Sequence, residues 1–388
     1  VDPNYVSIVQ SEITSLQNNG VDKIILISHL QGLDEEKALI ADLDDIDIVI
    51  AGGGDELLAN PGDLLVPESD GSFPTPDDSY PVKVADNSGD TVYVVTTQGN
   101  YKYVGRLMVG FDTNGDVIYL DEKSGPVRVE KSNINQDLKD LVVDSIIAYT
   151  SNLASNVIAT SQVDLDGRRS SVRTMETNQG NLLADALLWQ ADELASSFNV
   201  NAPDVALQNG GGIRNDEIVP AGDITELKTF DIAPFSNFVT IIEDIPADQF
   251  KEIMENCVSS VEFTSGRFAQ IAGFEVVYNA NGQRQLIDGN GNITQEGSRI
   301  MEITLDDGTE IVSNGEVVAN APDINIATIN FLARGGDQYP FDGVPYTQLG
   351  VTYQQALANY LVDANALNGT ITSTDYPEGG EGRIDRED

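Results

Sequence analysis

Three loop segments and one lone histidine of this 388-residue sequence carry residue types able to do chemistry. NGGGIR, Asn209–Arg214, follows the apolar run DVALQ. Glycines there let backbone amides approach an anion or a planar ring closely, while Asn209 and Arg214 supply hydrogen-bonding arms. No Lys-Ser/Thr pair follows, so it is not a phosphate-binding P-loop. By itself a glycine-rich turn after a strand is most often just a turn. DIAPFSNF places Phe235 directly after a proline, and NFLARGGDQY places Phe331 ahead of Arg334 and the Gly335-Gly336-Asp337 turn. Single phenylalanines mostly belong to cores. Two beside loops could instead clamp an aromatic base by stacking. The only histidine, His29, follows the run KIILIS, where a structural role is the ordinary one.

The elements that must position these residues follow from periodicity. Asp2 and Pro3 suit a helix start, and a helix extends to about Gln17. VDKIILISH has the continuous apolar character of a buried strand, EEKALIADL of a helix, and IDIVIAGGG of a strand entering a glycine loop. That alternation predicts an α/β layer with parallel strands. After the proline-rich loop 60–81 come strands at TVYVVTTQ and YKYVGRLMVGFD, the latter turning through TNGD into VIYLDE, a hairpin signal. A helix capped by Asn133 or Asn135 places Leu141, Val142, Ile146 and Tyr149 on one face. The polar stretch TSQVDLDGRRSS marks a boundary at about 150–170. A long helix over 171–198, the helix DQFKEIMENCVSS, a final amphipathic helix over 346–364 and a solvated tail EGGEGRIDRED complete the pattern. Cys257 lies inside DQFKEIMENCVSS and reads as a buried apolar residue; being the only cysteine, it has no intrachain partner.

Composition narrows the function classes. Sixty-three acidic residues against 21 basic ones give a formal net charge of −42, spread along the whole chain. Such a surface repels nucleic acid and anionic membranes, and its self-repulsion is relieved by salt. A secreted, periplasmic or extracellular protein of a saline or marine setting is the natural expectation, with an ordinary acidic secreted protein as the alternative. No apolar run is long enough for a membrane span. The opening VDPNYVSIVQ carries no signal peptide and has the look of a processed product.

Five segments taken together, ETNQGNLLADA, NGGGIR, PFSN, SGRFAQIAGFEVVY and NFLARGGDQY, occur in the order and spacing of the C-terminal domain of 5′-nucleotidases. The first 128 residues resemble the second half of the family's calcineurin-like metallophosphatase domain, with KIILISHLQGLDEEKAL and IDIVIAGGGDELL in place of two of its strand-loop segments. The resemblance implies an α/β and α+β fold: a partial metallophosphatase sandwich (1–128), a linker helix (129–165) and a substrate-binding domain (166–388). It implies that Phe235 and Phe331 stack on a base, that Asp337 contacts ribose, and that Asn209, Gly211 and Arg214 contact the substrate. Arg173 stands where the family often has a phosphate-contacting arginine.

The same resemblance makes His29 a metal ligand. The sequence departs from the family where a Gly-His-x-His segment is usual, because Gly53 and Asp55 stand there, with Glu56 next. Asp55 and Glu56 are either solvated loop acids or carboxylate replacements for imidazole, which would favour Mn²⁺, Mg²⁺ or Ca²⁺ over Zn²⁺. The family's earlier ligand motifs are absent from this sequence, so no catalytic residue is assigned to it. The implied activity is metal-dependent hydrolysis of a nucleoside 5′-phosphate through a two-metal site, completed by an N-terminal fragment of the same protein. The alternatives are a non-catalytic nucleotide binder, a broad-specificity alkaline phosphatase on the same scaffold, and an acidic surface-layer protein that binds neither.

Overall fold

The computed structural model describes residues 5–30, 32–68, 70–130, 132, 134–288 and 291–387. The expected caps at Asp2, Pro3 and Asn133 lie outside them. The chain divides into two compact units, 1–140 and 141–388. The expected boundary at 150–170 therefore falls inside the second unit, where Val157–Ser161 and Leu165–Asp166 are strands.

In the first unit α1 (Tyr5–Asn18), β1 (Ile25–Ile27), α2 (Leu33–Ala41) and β2 (Ile48–Ile50) alternate as periodicity requires. With β3 (Val82–Ala85) and β4 (Thr91–Val95) they build a sheet of order β1-β2-β4-β3. β1, β2 and β4 run parallel, and β3 is antiparallel to β4. Leu39, Ile40, Leu43, Val49, Val92 and Val94 form the heart of its core. β1 was expected to be a buried strand, yet Ile25 and Ile27 are 52% and 75% exposed. The reason is that β1 has one neighbour and stands at the sheet's edge. YKYVGRLMVGFD is two strands rather than one. β5 (Tyr103–Arg106) pairs with Gly125–Arg128, while β6 (Val109–Phe111) and β7 (Val117–Leu120) form the hairpin around TNGD.

The helical stretch from Gln136 to Ser155 begins with Asn135 accepting the Leu138 N–H, and widens into a π turn over Lys139–Val143. Its apolar stripe, Leu141, Val142, Ile146 and Tyr149, is exposed.

The second unit is organised around a five-stranded sheet. Its strands, in order, are Ala269–Ala272, Val205–Asn209, Ile324–Ile329, Phe238–Ile245 and Tyr346–Thr352. Only the Val205–Asn209 and Ile324–Ile329 pair is parallel. The helix Asn178–Phe198 packs on this sheet through Leu182, Leu183, Ala186 and Leu187, all fully buried. It is shorter at its N-terminus than the expected 171–198, because Thr177 leaves the helix to cap it, its Oγ accepting the Gly180 N–H.

The last amphipathic element also differs from expectation. Tyr346–Thr352 is an edge strand hydrogen-bonded to Phe238–Ile245, and the helix starts only at Tyr353, capped by Thr352. Nor is the C-terminal tail loose. Ile384–Glu387 pairs in parallel with Phe274–Asn279, Arg383 forks onto Asp185 at 2.6 and 2.9 Å, and Glu176 accepts the backbone N–H groups of Gly382 and Ile384. Long-range pairing of this kind leaves no local sequence signal.

Candidate functional site

Backbone register gathers the candidate residues of the second unit at one end of the inner strands of its main sheet. Asn209 ends one parallel strand, Phe331 follows the end of its parallel neighbour, and Phe235 precedes the antiparallel strand whose Val239 pairs with Ile329. The carboxyl ends of parallel strands are where open sheets leave room for ligands.

NGGGIR turns there through a short 3₁₀ segment, Gly210–Gly212. Gly210 is required by close approach: a Cβ on it would lie 2.2 Å from the Val172 carbonyl oxygen. The loop bearing Arg173 is thereby laid against the glycines. Gln270, fully buried, holds that loop from the neighbouring strand. Its Oε1 accepts the Thr177 N–H at 3.0 Å, and its Nε2 donates to the Val172 and Met175 carbonyls at 3.1 and 2.8 Å.

Asn209 is oriented from behind. Gln208 Nε2 donates to its Oδ1 at 3.0 Å, which leaves Asn209 Nδ2 to donate to Asp337 Oδ2 at 2.7 Å. Arg214 donates to the Gly211 carbonyl at 3.5 Å and its guanidinium lies 5.3 Å from the centre of the Phe235 ring. Arg173 is only 6% exposed, and among the described residues its side chain makes no hydrogen bond or ion pair; its Nε is buried without a partner. Burial, then the nearby charges of Arg169 and Arg214, pull its guanidinium down to about 10 against the opposing Asp337 and Asp216. A buried, unpaired cation among other arginines, in a chain of charge −42, is a group suited to an external anion.

Phe235 and Phe331 are 43% and 37% exposed, unlike the fully buried phenylalanines of the core. The structure does not stack them on each other: among the described residues no ring contact joins them. Two residues that sequence reasoning missed place them. Tyr353, fully buried, donates from its hydroxyl to the Gly212 carbonyl and accepts the Phe235 N–H, both at 3.1 Å. Burial pushes that hydroxyl up to about 12, so it stays a donor. Asn330 accepts the Phe238 N–H at 3.1 Å and so joins the two phenylalanine-bearing loops. Local sequence carried no signal for Tyr353, whose partners lie over a hundred residues away.

In the first unit His29 and Asp55 are exposed in the loops after β1 and β2, which are tied by the Gly52 N–H donating to the Ser28 carbonyl at 3.1 Å. Glu56 is engaged at the start of α2, its Oε1 accepting the Leu33 N–H at 2.8 Å. Behind this loop Glu36 is buried, with Ser28 donating to it at 2.6 Å, and burial raises its carboxyl above the ordinary range. No group of three or more His, Cys, Asp or Glu side chains able to hold a metal exists among the described residues. His29, Asp55 and Glu56 therefore do not fit a metal site by themselves.

Comparison with known proteins bears on the second unit most directly. Residues 157–342 match the model for the 5′-nucleotidase C-terminal domain. Those residues belong to the 5′-nucleotidase C-terminal domain family. The chain is 29% identical over 335 residues to the trifunctional nucleotide phosphoesterase protein YfkN of Bacillus subtilis, covering 85% of this chain and 19% of that protein. It is 28% identical over 282 residues to bovine 5′-nucleotidase, covering 70% and 46%. The crystal structure of a 5′-nucleotidase precursor from Thermus thermophilus superposes with a TM-score of 0.59 at 26% identity, covering all of this chain and 68% of that one. The chain thus spans about half the length, or less, of the two curated relatives named. No helix among its described residues is long and apolar enough to cross a membrane.

Proposed function

We propose that this chain is the nucleotide-binding part, with a portion of the metallophosphatase part, of a phosphate monoester hydrolase of the 5′-nucleotidase type. The carrying observation is the buried, unpaired Arg173 set beside the Asn209–Asp337 pair and the two half-exposed phenylalanines. A nucleoside phosphate has matching parts: a dianion for Arg173, ribose hydroxyls for the Asp337 carboxylate, and a flat base for the rings. Arg214 completes the cradle, whereas the Gly210 and Gly211 amides are engaged elsewhere, donating to the Phe268 and Gly266 carbonyls at 2.6 and 2.8 Å. The chain's residues then bind and orient, using remote binding energy to position the ester. Divalent ions in the whole enzyme would supply Lewis acidity and an activated water. His29 and Asp55 are too few to hold them, so further ligands would come from a longer polypeptide or an N-terminal fragment of the same protein. The acidic surface fits a secreted, salt-adapted setting.

The absence of a three-donor group among the described residues favours one second reading, a nucleotide binder without turnover. Calorimetric titration of adenosine and AMP into the protein tests the shared premise. Tighter binding of AMP than of adenosine, abolished together with adenosine binding by Phe235→Ala, is the expected result. Equal, weak or absent binding of both would sink the nucleotide reading. Native mass spectrometry separates the two readings: a second polypeptide released only on denaturation supports the hydrolase, and a lone chain without phosphatase activity under any divalent ion supports the binder.

A further inference from the structure

Asp337 sits in an unusual stretch of backbone. Gly335, Asp337 and Gln338 all have positive φ, at 85°, 52° and 59°. For glycine that is free, but two successive residues with side chains adopt it at a cost that turn geometry or their surroundings must offset. Those surroundings are visible. Asn256, fully buried, donates from Nδ2 to the Asp337 carbonyl at 3.2 Å. Arg267 donates from Nη2 to Gln338 Oε1 at 2.8 Å, and from Nη1 to Asn256 Oδ1 at 3.2 Å. Gln338 Nε2 in turn donates to the Ile287 carbonyl at 3.1 Å. One guanidinium thus grips the side chain that holds residue 337 and the side chain that follows it.

A plainer role exists for Arg267. It also donates to Ser259 Oγ at 3.3 Å, near the carboxyl end of the helix Ala247–Val258, where a cation is favoured. That role does not account for the rest. Among the described residues no carboxylate is hydrogen-bonded to Arg267, and its Nε is buried with no partner. Such a cation is a costly way to finish a helix, and the acid whose charge favours it is Asp337.

We propose that Arg267 and Asn256 are positioning residues: they lock residues 337–338 in left-handed backbone so that the Asp337 carboxylate, paired with Asn209, is held as the acceptor for the vicinal hydroxyls of a ribose. This rests on the nucleotide reading and adds what sets its sugar specificity. Arg267 acts through Asp337 and touches no substrate.

The test compares adenosine with 2′,3′-dideoxyadenosine by calorimetry, on the wild type, Arg267→Met and Gln338→Gly, with thermal unfolding run alongside. The wild type prefers adenosine. Arg267→Met lowers that preference about tenfold, the size of losing one well-placed hydrogen bond to a charged group, while dideoxyadenosine affinity stays within about twofold. Gln338→Gly tolerates positive φ without strain and removes the Arg267 contact, so it lowers the preference in the same direction even where Arg267→Met fails to fold. Preference unchanged in a folded Arg267→Met, or in Gln338→Gly, overturns the inference alone. A wild type that binds both equally overturns the inference alone, and one that binds neither nucleoside overturns it together with the nucleotide reading.

Discussion

Arg173→Met should make the protein more stable and a poorer binder of nucleotides at the same time. Arg173 as a residue is 6% exposed, and its guanidinium finds no hydrogen-bond partner among the described residues. Its fall from the ordinary 12.5 to about 10 measures how poorly the folded state accommodates the charge. At ~1.4 kcal/mol per tenfold change that is ~3 kcal/mol. Solvent reaching the guanidinium tip reduces it to about 1–2 kcal/mol. Methionine fills much of the same volume, carries no charge and adapts to irregular space. The variant should therefore unfold about 2–4 °C higher, the response of a domain of roughly this size to about 1 kcal/mol. Thermal unfolding in the absence of ligand reads the first effect. Titration with AMP and with adenosine reads the second: AMP affinity should drop by about tenfold or more, while adenosine affinity stays nearly constant, because only the phosphate has lost a charge-assisted contact. A melting temperature that falls, or AMP affinity that survives, would refute the reasoning that Arg173 is held unpaired for an external anion.

Other consequences can be checked with the same protein. Gly336→Ala would put a methyl group 2.5 Å from the Phe331 carbonyl oxygen and 2.6 Å from its ring, so ring and turn must separate; nucleoside binding should weaken by about tenfold or more, the scale of a lost aromatic stacking contact, and unchanged affinity would mean that Phe331 does not touch the base. Cys257 is fully buried and its thiol is pushed up to about 12, chiefly by burial, so a thiol-directed reagent at neutral pH should label it only after unfolding; rapid labelling of native protein would contradict the packing. With a net charge of −42, nucleotide capture should quicken between low and moderate salt, and stopped-flow association rates that fall steadily over that range would show that the arginines at the site outweigh the overall field. Glu176→Gln should cost about 1–3 kcal/mol in denaturant unfolding, since this carboxylate gathers the backbone of Gly382 and Ile384 and the Asn181 side chain.

By itself the sequence determined what depends on neighbours along the chain. Apolar residues specified the strand ending at Asn209, and glycines specified the turns at 210–212 and 335–336, whereas the start of the long helix at Thr177 was decided by its cap in the structure. The set of five linked segments pointed to the family and to the residues at the strand ends. Tertiary structure alone decided the rest. Tyr346–Thr352 has a sequence compatible with helix, and became a strand because an edge of the sheet was open to it. Ile384–Glu387 lies in a polar tail and is ordered by Glu176 and Asp185, some two hundred residues earlier. Tyr353 lies in no motif, and SGRFAQIAGFEVVY contains Arg267 and Gln270 without revealing their roles, because each of the three acts through hydrogen bonds to residues distant in sequence. Whether Arg173 has a partner, and whether His29 and Asp55 share a site with a third donor, are questions of burial and convergence. Residue identity names the available chemistry, but only packing decides which charged groups end without a partner inside the protein.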